Sequence, residues 1–320
     1  MKILITGGAG FLGLRLARRI LDRGAVAGPD GQPREVTRIV LADMANAPIE
    51  DPRVTSLVGD IADPAFVDAA LGGDCASVFH LAAVVSGQAE ADFDLGLRVN
   101  LDATRLLLEA CRRLPRPPRL VFTSSVAVFG GALPTPVPET WILNPQNSYG
   151  TQKAIGELLV NDHSRKGFID GRAVRLPTIS VRPGRPNKAA SSFASGILRE
   201  PLAGEIATCP VPPHTPIWLS SPRTAIAHLL QAHDAPAGAF GTGRSLNTPG
   251  LTVTAGEMVA TLERVAGREV ASRVRWEPDE AVAAIVTRWP ARLETVRAEA
   301  MGMKAEPDFE SILRAYIAGE

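Results

Sequence analysis

The chain has no excess of charge of either sign and no long apolar run. Lys and Arg together number 34, as do Asp and Glu, so the charge balance does not favour nucleic acid or an anionic membrane surface. No apolar run approaches the roughly 18 residues that a membrane-spanning helix needs. Residues 1–5 lead directly into glycines, without the cleavage region of a signal peptide. We therefore expect a cytoplasmic protein with no nucleic-acid or membrane partner.

Cysteine is also scarce. The three cysteines, Cys75, Cys111 and Cys209, are widely separated and form no CxxC or metal-ligand pattern. An odd, scattered set is typical of reduced thiols in a cytoplasmic protein rather than of a disulfide framework. We therefore expect free thiols, mostly buried, and no metal site.

Glycine, in contrast, is concentrated at the start of the chain. An apolar strand at residues 2–6 is followed by the run GGAGFLG at 7–13 and by an amphipathic helix to about residue 23. Glycines permit a tight turn and let a pyrophosphate approach the backbone, and a helix N-terminus offers free N–H groups. This order predicts a dinucleotide site of the Rossmann type. A glycine turn without a ligand is the alternative. The spacing fits GxxGxxG or, from Gly8, GxGxxG, and we expect cofactor contacts from Gly7, Gly10, Phe11, Leu12 and Gly13.

A carboxylate follows the second main strand, which we predict at residues 37–42. Asp43 at its end would accept hydrogen bonds from the adenosine ribose and repel a 2′-phosphate, which favours NAD over NADP. Asp43 lies further past the glycines than the usual spacing of about 20 residues. The polar loop at 25–35 accounts for the difference. The alternative is a helix or turn cap.

Strands and helices alternate up to about residue 176. Small residues, Ala82 and Ala83, follow the strand at 77–81, where they would let a flat ligand approach, and Ser125 follows the strand at 120–122. This alternation predicts an α/β fold, a Rossmann-type doubly wound parallel sheet with a smaller, mostly C-terminal substrate domain. We place the NAD-binding domain at 1–176, with about 217–240 returning to it. The segments 177–216 and 241–320 would form a discontinuous substrate-binding domain.

Tyr149 and Lys153 are four residues apart on a predicted helix, so they share one face. A free tyrosine has a pKa near 10, too high for a base at neutral pH. A nearby ammonium favours the phenolate and lowers that pKa. We therefore predict that Tyr149, helped by Lys153, takes a proton from an alcohol. The alternative is a chance pair on a solvated helix.

With these residues the chain resembles the extended short-chain dehydrogenases/reductases, a group that includes the NAD-dependent sugar epimerases and dehydratases. The resemblance covers about residues 1–235, and the run from Ser125 to Gly130 matches the family pattern Ser-x-x-x-aromatic-Gly. Ala103 stands where the family has glycine, a small departure. Three stretches, about 80–94, 148–161 and 175–204, resemble a narrower group that oxidises the C2 hydroxyl of a short sugar acid with NAD.

The resemblance implies a role for each matched position. Tyr149 would deprotonate the substrate hydroxyl, Ser125 would orient the reacting oxygen, and Lys153 would also bind the nicotinamide ribose. Asn100 would contact the cofactor side of the site. The other implied NAD contacts are Asp60, Ile61, Leu81, Ala82, Ala83, Pro177 and Thr178.

A sugar acid also needs its carboxylate held, and Arg suits bidentate carboxylate binding. Arg182 and Arg185 follow the strand that ends near residue 176, at the start of the predicted substrate region. The alternative is that these arginines are solvated loop charges. The residues expected to bind the rest of the substrate are Ser86, Asn187 and Ser191.

Two rival functions remain at this stage. A nucleotide-sugar epimerase or dehydratase would use the same Tyr149 and Lys153 but return the hydride, with no net NADH. A non-catalytic NAD sensor would not need a tuned base. We also expect a homodimer, because the helices at 95–113 and 149–164 carry more apolar surface than a solvent face needs, and in this family such helices pair into a four-helix bundle.

Overall fold

The protein is described here by a computed structural model over residues 1–184 and 186–319. Over these residues the strands, in chain order, are β1 (Lys2–Thr6), β2 (Ala25–Ala27), β3 (Pro33–Glu35), β4 (Arg38–Asp43), β5 (Val54–Val58), β6 (Cys75–His80), β7 (Arg119–Ser125), β8 (Asp170–Leu176), β9 (Thr178–Ile179), β10 (Ala207–Cys209), β11 (Pro216–Ser220), β12 (Ser245–Asn247), β13 (Leu251–Thr254) and β14 (Val274–Trp276).

The helices over the same residues are α1 (Phe11–Arg23), α2 (Pro64–Leu71), α3 (Ser86–Ala91), α4 (Phe93–Gly96), α5 (Ala103–Arg112), α6 (Ser148–Arg165), α7 (Phe193–Leu202), α8 (Pro222–Asp234), α9 (Ala255–Ala266), α10 (Arg268–Ala271), α11 (Glu280–Val286), α12 (Val296–Ala300) and α13 (Phe309–Ile317). A π-helical turn at Leu97–Asp102 joins α4 to α5, and short 3₁₀ turns lie at Val126–Val128, Ala190–Ser192 and Ala237–Phe240.

The main sheet has seven parallel strands in the order β12-β8-β7-β6-β1-β4-β5. The chain moves from β1 outward to β4 and β5, then returns to the other side of β1 to add β6 and β7. The two halves therefore diverge between β1 and β6, and ligands of such sheets bind at this switch point, beyond the carboxyl ends of the strands. The predicted fold class is confirmed.

Alternation along each strand builds a core on both faces of this sheet. On β1, Ile3 and Ile5 join a fully buried cluster with α1 and α8, whereas Leu4 joins a second cluster with α2, α5 and α6. Helices therefore cover both faces. This arrangement explains why the central strands read as continuous apolar runs.

The C-terminal part of the chain builds a smaller unit with its own core. β11 pairs with β9 and β13, and β10 pairs with β14. Helices α7, α9 and α13 contribute buried Leu198, Met258 and Leu313 to its apolar cluster. Helix α7 was not predicted, because Pro201 and the surrounding small residues obscured its apolar period.

Two details depart from the predicted domain boundaries. β12 lies beyond residue 241, in the segment assigned to the substrate domain, but pairs with β8 at the edge of the main sheet. β11 was expected to return to the NAD-binding domain; it pairs with β9 and β13 rather than with the main sheet, although α8, which follows it, does pack on the main sheet. The first of these strands has only three residues, too few to show a period.

Candidate active site

A cavity of about 680 Å³ opens at the carboxyl edge of the main sheet. Its walls come from the segments that follow β1, β4, β5, β6, β7 and β8, with the start of α6 and part of the smaller unit on one side. Most residues predicted to bind cofactor or substrate lie on its surface. They are Gly7, Gly10, Phe11, Leu12, Gly13, Asp43, Asp60, Ile61, Leu81, Ala82, Ala83, Ser86, Ser125, Tyr149, Lys153, Pro177, Thr178, Arg182, Asn187 and Ser191.

The glycine loop is shaped by close backbone contacts. Gly7 has φ of 70°, and a Cβ there would lie 2.8 Å from the Ala82 backbone nitrogen. A Cβ on Gly13 would lie 2.1 Å from the Gly7 carbonyl oxygen, so only glycine lets α1 start this close to β1. Gly10 caps α1 without a side-chain hydrogen bond. No side chain at the cap position therefore satisfies the first N–H groups of α1, which fits a pyrophosphate ligand.

Asp43 lies beside this loop at the end of β4. Its carboxylate accepts hydrogen bonds from the backbone N–H of Ala9 at 3.0 Å and of Met44 at 2.7 Å. The bond to Ala9 fixes the carboxylate against the glycine loop while leaving it on the cavity surface. This position suits a ribose hydroxyl donor and is unfavourable for a 2′-phosphate.

Asp60 forms an ion pair that was not predicted. Its carboxylate accepts a hydrogen bond from the Ala62 N–H at 2.9 Å and pairs with Arg98 of the π-helical turn. These two contacts, the backbone one first, lower the pKa of Asp60. The pair joins the segment after β5 to the turn that carries Asn100, and both of its residues line the cavity.

Asn100 is not among the described residues that line the cavity. Its side chain is 1% exposed and bonds both backbone groups of Val84, at 2.7 and 3.0 Å, and the Gln152 side chain at 2.7 Å. Val84 does line the cavity, so Asn100 positions the segment after β6. A direct contact of Asn100 with the cofactor stays a prediction.

Ser125 and Tyr149 are brought together by a close approach of α6 to the turn after β7. A Cβ on Gly150 would lie 2.1 Å from the Ala127 carbonyl oxygen, so glycine is needed between them. Asn147 caps α6 by accepting a hydrogen bond from the Gly150 N–H at 2.7 Å. The Ser125 side chain accepts from the Ala127 N–H at 3.1 Å and lies close enough to the Tyr149 phenol to lower its pKa.

The pKa values of Tyr149 and Lys153 differ from our expectation. Burial raises the pKa of Tyr149 to about 12, against smaller lowering effects of the Ser125 hydrogen bond and the Arg182 charge. Burial also lowers the pKa of Lys153 to about 7. The expectation that Lys153 lowers the pKa of Tyr149 is therefore wrong for the ligand-free site. The Lys153 ammonium lies 4.7 Å from the centre of the Phe122 ring and 5.7 Å from that of Tyr149.

A buried ion pair anchors α6 to the sheet on the same helical face. Glu157, one turn past Lys153, is 2% exposed and pairs with Arg175 of β8 at 2.7 Å. Glu157 also accepts a hydrogen bond from the Ser124 hydroxyl at 2.6 Å. Because Ser124 precedes Ser125, one carboxylate fixes both the helix and the strand end.

The predicted substrate residues meet on the side of the cavity next to Tyr149. Arg182 donates a hydrogen bond to the Asn187 side chain at 3.1 Å, and its backbone N–H donates to Ser195 at 3.0 Å. Ser86 accepts from the Ala190 N–H at 3.1 Å, which joins α3 to this segment. Burial, then the neighbouring Arg199, lowers the pKa of Arg182. Arg185 lies outside the described residues.

The sequence did not indicate two further cavity residues. Arg98 lies two positions before Asn100 on a turn read as ordinary helix, and its pairing with Asp60 has no local signal. Trp289 follows α11 in a stretch without a motif, far along the chain from every other lining residue. Only the packing of the smaller unit brings Trp289 to the site.

Among the described residues, no helix is both long and apolar enough to cross a membrane. Within the same part of the chain, no group of three or more His, Cys, Asp or Glu side chains could hold a metal ion. The donors at the cavity are instead backbone N–H groups, hydroxyls and cations, which suit a dinucleotide and an anionic substrate.

The fold and the cavity together define a dinucleotide-dependent enzyme with a Ser-Tyr-Lys set. Residues 3–217 match the model of the NAD dependent epimerase/dehydratase family, and the chain belongs to this family. The predicted family, the class of NAD-dependent dehydrogenases and the cofactor NAD are thereby confirmed.

Several relatives match over almost their whole length. D-erythronate dehydrogenase of Cupriavidus necator is 57% identical over 99% of this chain and 98% of its own. D-erythronate dehydrogenase of Haemophilus influenzae is 43% identical over 99% of both chains. A crystal structure described as a nucleoside-diphosphate-sugar epimerase from Agrobacterium tumefaciens is 41% identical, with a TM-score of 0.92, over 100% of this chain and 94% of that one.

The lowered pKa of Lys153 predicts how the free energy of unfolding of the ligand-free protein depends on pH. Lys153 titrates near pH 7 when folded but has an ordinary value of 10.5. Between these values the unfolded chain holds a proton that the folded chain does not, so the free energy of unfolding rises with pH, by up to about 1.4 kcal/mol per unit. Below about pH 7 both states are protonated and this dependence vanishes.

Lys153→Met should remove that rise. We expect the difference in unfolding free energy, wild type minus variant, to increase between about pH 7 and pH 10 in urea titrations. Lys166→Met, at an exposed position, is the matched control and should leave the difference flat. A flat difference for Lys153→Met as well would show that Lys153 stays charged in the folded protein.

Proposed function

We propose that the protein oxidises the C2 hydroxyl of a short sugar acid with NAD, converting D-erythronate to 2-dehydro-D-erythronate (2-oxo-tetronate). The two full-length relatives named D-erythronate dehydrogenase support this substrate. The structural support comes from the position of one cation relative to Tyr149.

The observation that carries the proposal is the closeness of Arg182 to the Tyr149 phenol. The charge of Arg182 acts on the pKa of Tyr149, and Tyr149 acts on that of Arg182. In a 2-hydroxy acid the carboxylate is bonded directly to the carbinol carbon, so its anchor must lie next to the base. The Arg182 guanidinium, half-buried on the same cavity as Tyr149, meets this requirement, and Arg offers the fork that matches a carboxylate.

In the proposed reaction Tyr149 receives the proton of the C2 hydroxyl through its phenol oxygen. Ser125, close enough to that phenol to lower its pKa, orients the reacting oxygen. Arg182 holds the carboxylate, and Asn187 and Ser191 face the remaining hydroxyls. Bound NAD would accept the hydride from C2, and the residues that would hold it are the glycine loop, Asp43, Asp60 and Lys153.

Lys153 and Arg182 also prepare Tyr149 for this step. The pKa of Tyr149 is high because burial disfavours the phenolate. A cation near the phenol favours the phenolate form of Tyr149. Lys153 carries little positive charge as long as burial keeps its own pKa low. Anions bound in the cavity would favour protonated Lys153 and so restore its positive charge near the phenol. The pKa of Tyr149 therefore depends on ligand binding.

The second candidate function is nucleotide-sugar epimerisation, favoured by the description of the structure that is 41% identical. An epimerase returns the hydride and yields no net NADH, which separates the two reactions. The third, a non-catalytic NAD sensor, would show neither reaction. The meeting of Ser125, Tyr149 and Lys153 on one cavity favours catalysis over sensing, because a sensor needs no positioned base.

The experiment that tests the proposal follows NADH absorbance with NAD and a panel of sugar acids and nucleotide sugars. We expect NADH from D-erythronate. Tyr149→Phe should lower turnover by about 10²–10⁴-fold and leave NAD affinity nearly unchanged. Tyr316→Phe changes the only other tyrosine and is the matched control. Conversion of a nucleotide sugar, with no NADH from any sugar acid, would contradict the proposal.

Arg182→Ala should weaken substrate use far more than NAD binding. Losing a charged hydrogen bond in a buried site costs about 1–3 kcal/mol, which raises the KM for D-erythronate roughly ten- to a hundredfold. Arg116→Ala, at an exposed position outside the cavity, controls for a general loss of positive charge. An unchanged KM in Arg182→Ala would show that the carboxylate is held elsewhere, with Arg185 the next position to change.

We also propose a cytoplasmic homodimer formed through α5 and α6. Phe93, just before these helices, is 57% exposed and Leu158 on α6 is 63% exposed, which supports an apolar contact there. The three free, buried cysteines fit a reducing compartment. The division into an NAD-binding and a substrate-binding domain belongs to the same proposal, with β12 assigned to the first.

Light scattering at micromolar concentration should give twice the chain mass. Leu158→Asp should give a monomer, because a buried unpaired charge opposes association. Ile317→Asp, which places the same charge on 50%-exposed Ile317 of α13, should stay dimeric. A monomeric wild-type protein would contradict the dimer without affecting the proposed reaction.

A further inference from the structure

Helix α7 holds the backbone of Arg182 through two hydrogen bonds. The Arg182 N–H donates to the Ser195 hydroxyl at 3.0 Å, and the Arg182 carbonyl accepts from the Arg199 guanidinium at 2.8 Å. Ser195 and Arg199 are four residues apart, so both project from one face of α7. Arg182 lies beyond the end of β9, outside every described strand and helix. One helical face therefore satisfies two backbone groups that no sheet ladder satisfies.

The other side of α7 is fixed in the smaller unit. Phe193 and Ile197 lie on the opposite helical face from Ser195 and bury their side chains in the apolar cluster of that unit. The Ser180 hydroxyl donates a hydrogen bond to the Ala194 carbonyl at 2.7 Å. The helix that holds Arg182 is therefore itself anchored by a packed core.

Arg199 is buried and has an ionic partner of its own. It is 8% exposed, and its guanidinium donates to the Glu200 carboxylate at 2.6 Å. A guanidinium carries five N–H donors, so one of its nitrogens bonds the carboxylate while another bonds the Arg182 carbonyl. Arg199 is not among the described residues that line the cavity. Its contact with the site is therefore made through Arg182.

The Arg182 side chain is the group that this contact places. It lines the same cavity as Tyr149 and donates to the Asn187 side chain at 3.1 Å. A two-pronged bond to a carboxylate demands a defined guanidinium orientation, and a binding group has to be held to within about 0.5 Å. Fixing the N–H and the carbonyl of Arg182 sets the direction in which its side chain leaves the backbone.

We propose that Arg199 is a positioning residue for the substrate carboxylate. It holds the Arg182 carbonyl so that the Arg182 guanidinium meets the carboxylate of the acid, and it touches neither substrate nor cofactor. Ser195 assists by holding the Arg182 N–H. This inference rests on the proposed oxidation of a sugar acid, in which Arg182 binds the carboxylate.

Arg199→Met tests the inference, because it removes the donor to the Arg182 carbonyl and keeps an unbranched side chain. We expect the KM for D-erythronate to rise about tenfold, with a smaller effect on kcat. The affinity for D-erythronate, from calorimetric titration into the NADH-loaded protein, should fall by the same factor. NAD affinity should stay at the wild-type value, since no contact between Arg199 and the cofactor is proposed.

Glu200→Gln is the matched control. It removes the charge of the ionic partner but keeps the bond from Arg199 to the Arg182 carbonyl, so the KM should stay at the wild-type value. If Arg199 serves only its ion pair with Glu200, Glu200→Gln and Arg199→Met will share one KM. That result would overturn the inference.

Two further variants cover a failure of Arg199→Met to fold. Arg199→Met/Glu200→Gln leaves no unpaired carboxylate and should show the same tenfold rise in KM, to about the precision of the assay. Ser195→Ala removes the other backbone bond of Arg182 and should also raise the KM. Wild-type KM values in both variants would contradict the inference.

Arg182→Ala/Arg199→Met tests whether Arg199 acts through Arg182. Without the Arg182 side chain there is no guanidinium to position, so the double variant should match Arg182→Ala in KM to within about twofold. If Arg199 instead shapes the cavity in another way, the two increases in KM will multiply. Multiplied increases would therefore refute a role through Arg182.

The outcomes separate this inference from the proposed function. If wild type oxidises a sugar acid and Arg199→Met matches Glu200→Gln in KM and calorimetry, the inference is wrong and the function stands. If Arg199→Met weakens NAD binding as much as acid binding, its effect is a general one and the inference is again wrong. If wild type makes no NADH from any sugar acid, the function fails and the inference falls with it.

Discussion

The buried ion pair between Glu157 and Arg175 is the contact on which the geometry of the site depends. It ties α6, which carries Tyr149 and Lys153, to β8 of the main sheet. The same carboxylate binds Ser124 and so fixes the end of β7 next to Ser125. Removing one partner of such a pair leaves an unpaired buried charge and typically costs about 3–5 kcal/mol. The side chains of Ser125, Tyr149 and Lys153 are therefore positioned by Glu157 and its partners, which have no part in the proposed chemistry.

Much of this site could be predicted, because local rules place its parts. Glycine spacing predicted the loop at 7–13, and a polar residue after each buried strand predicted Asp43 and Ser125 at the sheet edge. Tyr149 and Lys153 follow from helical spacing. Parallel strands end at one edge, so separate local predictions converge on one cavity. The contacts that could not be predicted are long-range: Arg98 with Asp60, Glu157 with Arg175, and Trp289 at the cavity wall.

The pKa of Tyr149 also could not be predicted from the sequence. Spacing puts an ammonium one turn from the phenol, but burial decides how much charge that ammonium carries. At this site burial acts on every cation near the phenol: it lowers the pKa of Lys153 and of Arg182 while raising that of Tyr149. Each of these shifts disfavours the charged form, and a bound anion would oppose that effect on Lys153 and Arg182. With the proposed anionic substrate, substrate charge and base activation would be linked, because the bound anion would also favour protonated Lys153.

The residues proposed for chemistry and those proposed for substrate choice come from different parts of the chain. The family match ends at residue 217, and the residues proposed to move the proton lie well before that point. Arg182, Asn187 and Ser191 come from the segment where strand–helix alternation breaks down, and Trp289, which also lines the cavity, comes from beyond the family match. A change of substrate within this fold therefore needs no change at Ser125, Tyr149 or Lys153.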